Sequence, residues 1–247
     1  MSLIYIKKAD AFSSPSNNKS LPRRLNPKVR KITALVLFGI GFITLSSAIF
    51  PLVRFQIEYS SKFGEVINPL SAQFYNQTGR VLGDMTTDYT QLSNWFTTPD
   101  KIPTTASSET PMQYHISIPA AKIDDAVVTI GSMDLKKSLV QYPQTALPGQ
   151  LGNTVIFGHS VLPQFFNPKS YLTIFSTLYR LKTGDEIYLK FGNITYKYLI
   201  DDMFEVQPTD LSVLEQRFDG RYLTLITCSP PGTYIRRLII KAQIADF

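Results

Sequence analysis

Cysteine is nearly absent from this chain. Its 247 residues contain one, Cys228, together with two histidines, His115 and His159. A single cysteine excludes an internal disulfide framework, and three such residues are too few for a structural zinc site. Internal repeats are also missing. Charge is missing from one long stretch: Ile32 to Val53 runs 22 residues without Asp, Glu, Lys or Arg. A helix rising about 1.5 Å per residue crosses a hydrocarbon core of roughly 30 Å at that length. The stretch is apolar on all faces, which argues against a buried core helix.

The formal net charge is +6. Much of the excess lies before the apolar stretch, in Lys7, Lys8, Lys19, Arg23, Arg24, Lys28, Arg30 and Lys31. A basic cluster flanking a membrane span fits the positive-inside rule and not a nucleic-acid groove. Residues 1–31 read as a basic cytoplasmic tail, 32–53 as a transmembrane signal-anchor, and the remainder as lying outside the cell. Ser46-Ser47-Ala48 resembles a signal-peptide cleavage site, but the polar region before the apolar run is too long for one. Residues 54–113 read as a partly helical stalk and linker. Phe63, Val66, Ile67, Leu70 and Phe74 fall at helical spacing, interrupted by Pro69, and Pro99 to Pro111 is rich in Pro, Thr and Ser. The folded domain is expected at 114–247.

From Tyr114 onward short alternating runs are separated by turn signals, the pattern of an all-β barrel or sandwich. Predicted strands cover Tyr114–Ile118, Ala126–Ile130, Asn153–Phe157, Glu186–Phe191, Ile194–Met203, Arg221–Cys228 and Ile235–Ala245. Gly192-Asn193 between two alternating runs predicts a two-residue hairpin. Short helical turns are expected around Phe175–Leu181 and Leu211–Gln216.

The chemistry concentrates at the end of one predicted strand. Tyr222 to Cys228 alternates faces and stops at Pro230, Pro231 and Gly232. Strand parity puts Leu223 and Leu225 on the core face, with Thr224, Ile226 and Cys228 on the other. The same argument puts Leu238, Ile240, Ala242 and Ile244 on the core face of the next strand and Arg237 on the outer one. If the two strands are neighbours, Arg237 lies beside Cys228, while Arg236 has the wrong parity. A cysteine nucleophile needs a base, an oxyanion donor and partial exposure. His159 follows a strand ending in Gly158, a residue that frees the backbone to turn. His115 lies inside an alternating run and reads as a satisfied strand-edge histidine.

Thr224-Leu225-Ile226-Thr227-Cys228 resembles the TLxTC signature of the sortase family. Val155-Ile-Phe-Gly-His159 is similar to its strand ending in Gly-His, and Arg237-Leu-Ile-Ile-Lys-Ala242 to its arginine-bearing last strand. Ile116-Ser-Ile-Pro119, Leu147-Pro-Gly149 and Leu181-Lys-Thr-Gly-Asp185 resemble further landmarks in the expected order. The resemblance spans about Tyr114 to Ile244. It implies a closed eight-stranded β-barrel and a membrane-anchored cysteine transpeptidase that cuts an LPxTG-like sorting motif. Cys228 would attack the scissile carbonyl and form a thioester. His159 would protonate the leaving amine and deprotonate the incoming one, and Arg237 would stabilise the oxyanion. Thr227, Ile226 and Ser229 would contribute to substrate binding. Partners would be secreted proteins with a C-terminal sorting signal, an amine of a cell-wall precursor or pilin, and the lipid bilayer, with no nucleic acid. No cofactor or metal is expected, and Asp124-Asp125 and Asp201-Asp202 read as solvated turn charges.

Two departures stand out. Ser160 follows His159 where many members carry Arg, so an accessory contact is expected to be missing. The Cys228–Arg237 loop is short and Pro-rich, which leans towards housekeeping-like or class D/E-like members. The aromatic-Gly lid motif of pilus-building members is not found. An L,D-transpeptidase would place His before a Gly-Cys pair, and a papain-like protease would place Cys before His. A non-catalytic β-barrel ectodomain that binds a wall or partner protein is the alternative of a different class, and it requires Cys228 to be buried far from His159.

Overall fold

Alternation of apolar and polar residues closes into a barrel here. The computed structural model describes residues 26–63, 88–95 and 112–245. Eight strands are present among them: β1 (Gln113–Ile118), β2 (Ile123–Ile130), β3 (Leu139–Gln141), β4 (Gly152–Phe157), β5 (Glu186–Phe191), β6 (Ile194–Val206), β7 (Arg221–Ser229) and β8 (Arg236–Ile244). They hydrogen-bond in the order β1-β2-β3-β4-β7-β8-β6-β5, and β5 pairs back onto β1. Closure leaves no unpaired sheet edge to recruit another chain. Seven of the strands match those predicted to within a few residues. The eighth, β3, has three residues, too few for a period of two to register.

The β4–β7 and β2–β3 pairs are parallel and the rest antiparallel. A parallel pair needs a crossover. Between β4 and β7 the chain makes the β5–β6 hairpin, where Phe191 pairs with Ile194 around Gly192. Gly192 has φ of +59° and Asn193 is not among the residues with positive φ, as a type II′ turn requires.

Strand parity separates two apolar clusters. Leu223 and Leu225 of β7, with Leu238, Ile240 and Ala242 of β8, fill one cluster with Ile116, Ile118, Ile187 and Leu189. Ile226, Cys228 and Ile239 point the other way, into a second cluster with Val155 and Phe157 of β4. The separation of two faces made from the sequence holds at these positions, but the face expected to point outward is buried in the second cluster.

The chain divides into two units, one ending at Phe50 and one beginning at Pro51. A single helix, α1 (Pro27–Phe63), begins in the first. Among the described residues it is the one helix long and apolar enough to cross a membrane. Its last turns, from Pro51, belong to the barrel's unit. Tyr59 is buried in the first cluster, with Phe55 and Phe63 packed against it. The helical spacing proposed beyond Phe63, and the linker from Pro99 to Pro111, lie outside the described residues.

Candidate active site

The register of β7 and β8 pairs Cys228 directly with Arg237. The register of β4 and β7 pairs Phe157 with Ile226, and two further bonds continue it past the end of β4. Gly158 donates its N–H to the Ile226 carbonyl at 3.2 Å. Ser160 then donates from Oγ to the Cys228 carbonyl at 2.8 Å. His159, between them, is thereby carried to the end of β7 that bears the thiol. Its own carbonyl accepts the N–H of Phe175 at 2.9 Å. Three neighbouring strands thus deliver Cys228, His159 and Arg237 to one end of the sheet. Ser160 supplies a contact there that the departure from the family pattern left unexpected.

Gly158 is needed for space and not for an unusual backbone angle. A Cβ on it would stand 2.5 Å from both Leu139 Cδ2 and Phe175 Cδ2. This corrects the expectation that glycine frees the chain to turn: its φ is not in the positive region.

The sequence also led us to expect a partly exposed thiol in an open groove, and the structure differs. Cys228, His159 and Arg237 are all buried. Residues 88–95 cover them. Leu92 and Trp95 join Cys228 in the second apolar cluster and are fully buried. The Trp95 ring lies 5.7 Å from the His159 ring, and the Arg237 guanidinium stands 5.2 Å from the Trp95 ring centroid. Arg237 donates from Nη2 to the Trp95 carbonyl at 2.7 Å and from Nη1 to the carbonyls of Tyr234 and Arg236, each at 3.1 Å. The covering segment is held independently. Leu92 N–H donates to the Met133 carbonyl and Leu135 N–H to the Thr90 carbonyl, each at 3.0 Å. Tyr89 stacks on Tyr234 with ring centroids 4.0 Å apart.

Burial sets the protonation states. It pushes the Cys228 thiol up to about 11, against the pull of the Arg237 guanidinium. It pushes the His159 imidazole down to about 4, with the Asp88 carboxylate opposing. At neutral pH the covered site therefore holds a thiol and a neutral imidazole. His159 Nε2 and Arg237 Nε are buried without a hydrogen-bond partner. Buried polar atoms are usually paired, so these two donor or acceptor atoms stand unused at the end of the sheet that carries the thiol.

Ile226, Thr227 and Ser229 are fully buried. Ile226 packs in the second cluster, Thr227 donates from Oγ1 to the Gly158 carbonyl at 2.8 Å, and Ser229 donates from Oγ to Glu205 Oε1 at 2.5 Å. Each has a partner within the protein. His115 lies on β1, with Nδ1 3.1 Å from Asp125 Oδ1, and takes no part in the site. No cluster of His, Cys, Asp and Glu suited to a metal occurs among the described residues. Nothing in the sequence pattern pointed to Trp95, Asp88 or Glu205. All three lie in segments with no motif around them.

The family description Sortase domain matches residues 116–245, which is more than half of the chain. The chain belongs to the sortase family. Sortase A of Staphylococcus aureus is 34% identical over 158 residues, covering 56% of this chain and 73% of that protein. Sortase A of Streptococcus agalactiae is 26% identical over 141 residues, covering 57% of this chain and 56% of that protein. Among solved structures, a Clostridium perfringens Sortase D5 transpeptidase aligns with 57% of this chain and 82% of its own, at 27% identity and a TM-score of 0.48. As a sortase, the chain is a cysteine transpeptidase, and Cys228 is its only cysteine.

Proposed function

We propose that this sortase is anchored in the plasma membrane by α1, with its N-terminus in the cytoplasm, and joins secreted proteins to an amine outside the cell. The substrate would carry an LPxTG-like sorting motif near its C-terminus. The acceptor would be an amine of a cell-wall precursor or a pilin. The observation that carries this reading is the convergence of Cys228, His159 and Arg237 at one end of three adjacent strands, with His159 Nε2 and Arg237 Nε unpaired. The basic flank of the apolar stretch supports the orientation.

In the first half-reaction the Cys228 proton passes to His159 as Sγ forms its bond to the scissile carbonyl carbon. Arg237, always charged, stabilises the resulting oxyanion. Collapse breaks the carbon–nitrogen bond, the leaving amine takes the proton from His159, and a thioester remains on Cys228. An incoming amine then gives a proton to His159 as its nitrogen attacks the thioester. Release of the new amide returns a proton to Cys228.

The test is to incubate the full chain, in detergent, with a panel of sorting peptides and amines, and to measure intact mass. An acyl adduct on Cys228, released by added amine and missing in Cys228→Ala, is the expected result. No adduct with any peptide, from protein whose thiol still reacts with iodoacetamide, would overturn the reading.

A further inference from the structure

One buried polar cluster near the thiol has no part in the chemistry above. Ser229 follows Cys228, and its register partner is Arg236. Glu205 of β6 pairs with Leu238 of β8, so Glu205 and Ser229 flank β8 on the same face. The Glu205 side chain is 8% exposed and Ser229 is fully buried. Ser229 donates from Oγ to Glu205 Oε1 at 2.5 Å, and the hydroxyl of Tyr59, on α1, donates to the same oxygen. The Tyr59 and Ser229 hydroxyls are themselves 2.5 Å apart. Arg236 Nη1 stands 3.9 Å from Glu205 Oε2. A buried carboxylate is tolerated only when it is paired and hydrogen-bonded, and these groups meet that need.

The tyrosine is not free to wander. Its ring packs against Phe55 at 5.5 Å, Phe63 at 4.9 Å and Tyr179 at 6.0 Å between centroids. The same turns of α1 are fastened twice more. Lys62 Nζ donates to the carbonyls of Tyr179 and Leu181, and Glu58 pairs with Arg180 at 3.2 Å. Beyond Ser229 the strand runs into Pro230 and Pro231, which have no N–H to continue the ladder. Ser229 is the last residue of β7, and its side chain links the strand that carries the thiol to Glu205 and Tyr59.

We propose that Tyr59, Glu205 and Ser229 form a positioning clamp that ties the end of β7, and with it Cys228, to the last turns of α1. The clamp rests on the reading of Cys228 as nucleophile. It makes residues 51–63 part of the working site and not a stalk beneath it. Displacements near 1 Å cost acyl-transfer enzymes much of their rate, so a loosened β7 end lowers turnover while leaving peptide binding unchanged.

The test uses full-length protein in detergent at 25 °C, with two readouts: iodoacetamide alkylation of Cys228, the only thiol, and transpeptidation of a sorting peptide. Tyr59→Phe and Ser229→Ala are each expected to speed alkylation about fivefold or more and lower kcat about five- to tenfold, with KM within about twofold. The double variant is no worse than the worse single, because both break one cluster. Glu205→Gln keeps an acceptor oxygen and falls between wild type and Glu205→Ala. Ile187→Val, a mild core loss on β5, serves as the stability control and moves neither readout. The proposal is overturned if Tm falls in the clamp variants while alkylation and kcat stay at wild-type values, or if the two single effects multiply. Absence of turnover in the wild type would count against the transpeptidase reading alone, since alkylation still decides the clamp.

Discussion

Arg237 donates a hydrogen bond from Nη2 to the main-chain carbonyl of Trp95 at 2.7 Å, with its guanidinium 5.2 Å from the same residue's ring. The arginine that faces Cys228 across the β7–β8 ladder thus already holds a peptide carbonyl from its own chain. A substrate carbonyl that takes the Nη2 donor must first displace the Trp95 carbonyl, whereas Nε has no partner to give up.

Trp95→Ala removes the largest side chain over the site. Cys228 and His159 then become hydrated, and both protonation equilibria relax towards their ordinary values. Alkylation of Cys228 by iodoacetamide at pH 7.5 is expected to rise about tenfold or more, because the thiolate is the reacting species. The pH midpoint of that reaction should fall from the strongly raised value of the covered site. An unchanged rate and midpoint would mean that Trp95 does not control access to the thiol.

Arg237→Lys keeps a positive charge but loses the planar fork. Turnover is expected to drop about 100-fold, the usual cost of losing one oxyanion donor. Folding is also weakened by about 1–3 kcal/mol, because the Trp95 carbonyl loses its buried donor. Steady-state kinetics and denaturant titration separate the two effects.

The buried His159 makes stability depend on pH. Its folded-state value, about 4, lies below the ordinary value of 6.5, so the unfolded chain binds the proton first. Stability is therefore unaffected above about pH 6.5, falls as pH drops through the window to about 4, and levels off below it. A shift of this size corresponds to a loss on the order of 3 kcal/mol. His159→Asn should flatten that part of the curve of unfolding free energy against pH relative to wild type. Parallel curves for the two proteins would contradict the neutral, buried imidazole.

Gly158→Ala places a methyl group against Leu139 and Phe175 at 2.5 Å. Overpacking of this kind costs about 1–3 kcal/mol. The shift also moves the His159 backbone, so both Tm and turnover are expected to fall. A variant with wild-type Tm would show that the two side chains can give way.

A chain beginning at Tyr114, where the sequence suggested the domain starts, loses Tyr59, Leu92 and Trp95 from the packed core. A chain beginning at Pro51 keeps them. The longer form is expected to melt at higher temperature and to alkylate more slowly at Cys228. Equal behaviour would mean that Tyr59, Leu92 and Trp95 add nothing to the fold.

Much of this protein is determined locally. The apolar span, the hairpin at Gly192-Asn193 and the alternating faces of β7 and β8 follow from side-chain periods of 3.6 and 2, which neighbouring residues report by themselves. Parity was enough to put Cys228 and Arg237 on one face, and the register confirmed it. Other features depend on segments distant in sequence, and no periodicity records such meetings. The three residues of β3 pair with strands on either side but are too short to show a pattern. Trp95 lies 142 positions from Arg237, and Tyr59 lies 146 from Glu205 and 170 from Ser229. The sequence by itself determined that a lone thiol ends a strand and that Arg237 has the parity to face it. Only the tertiary structure decided that the thiol is covered and its strand end held, because burial and pairing belong to the surfaces that folding brings together.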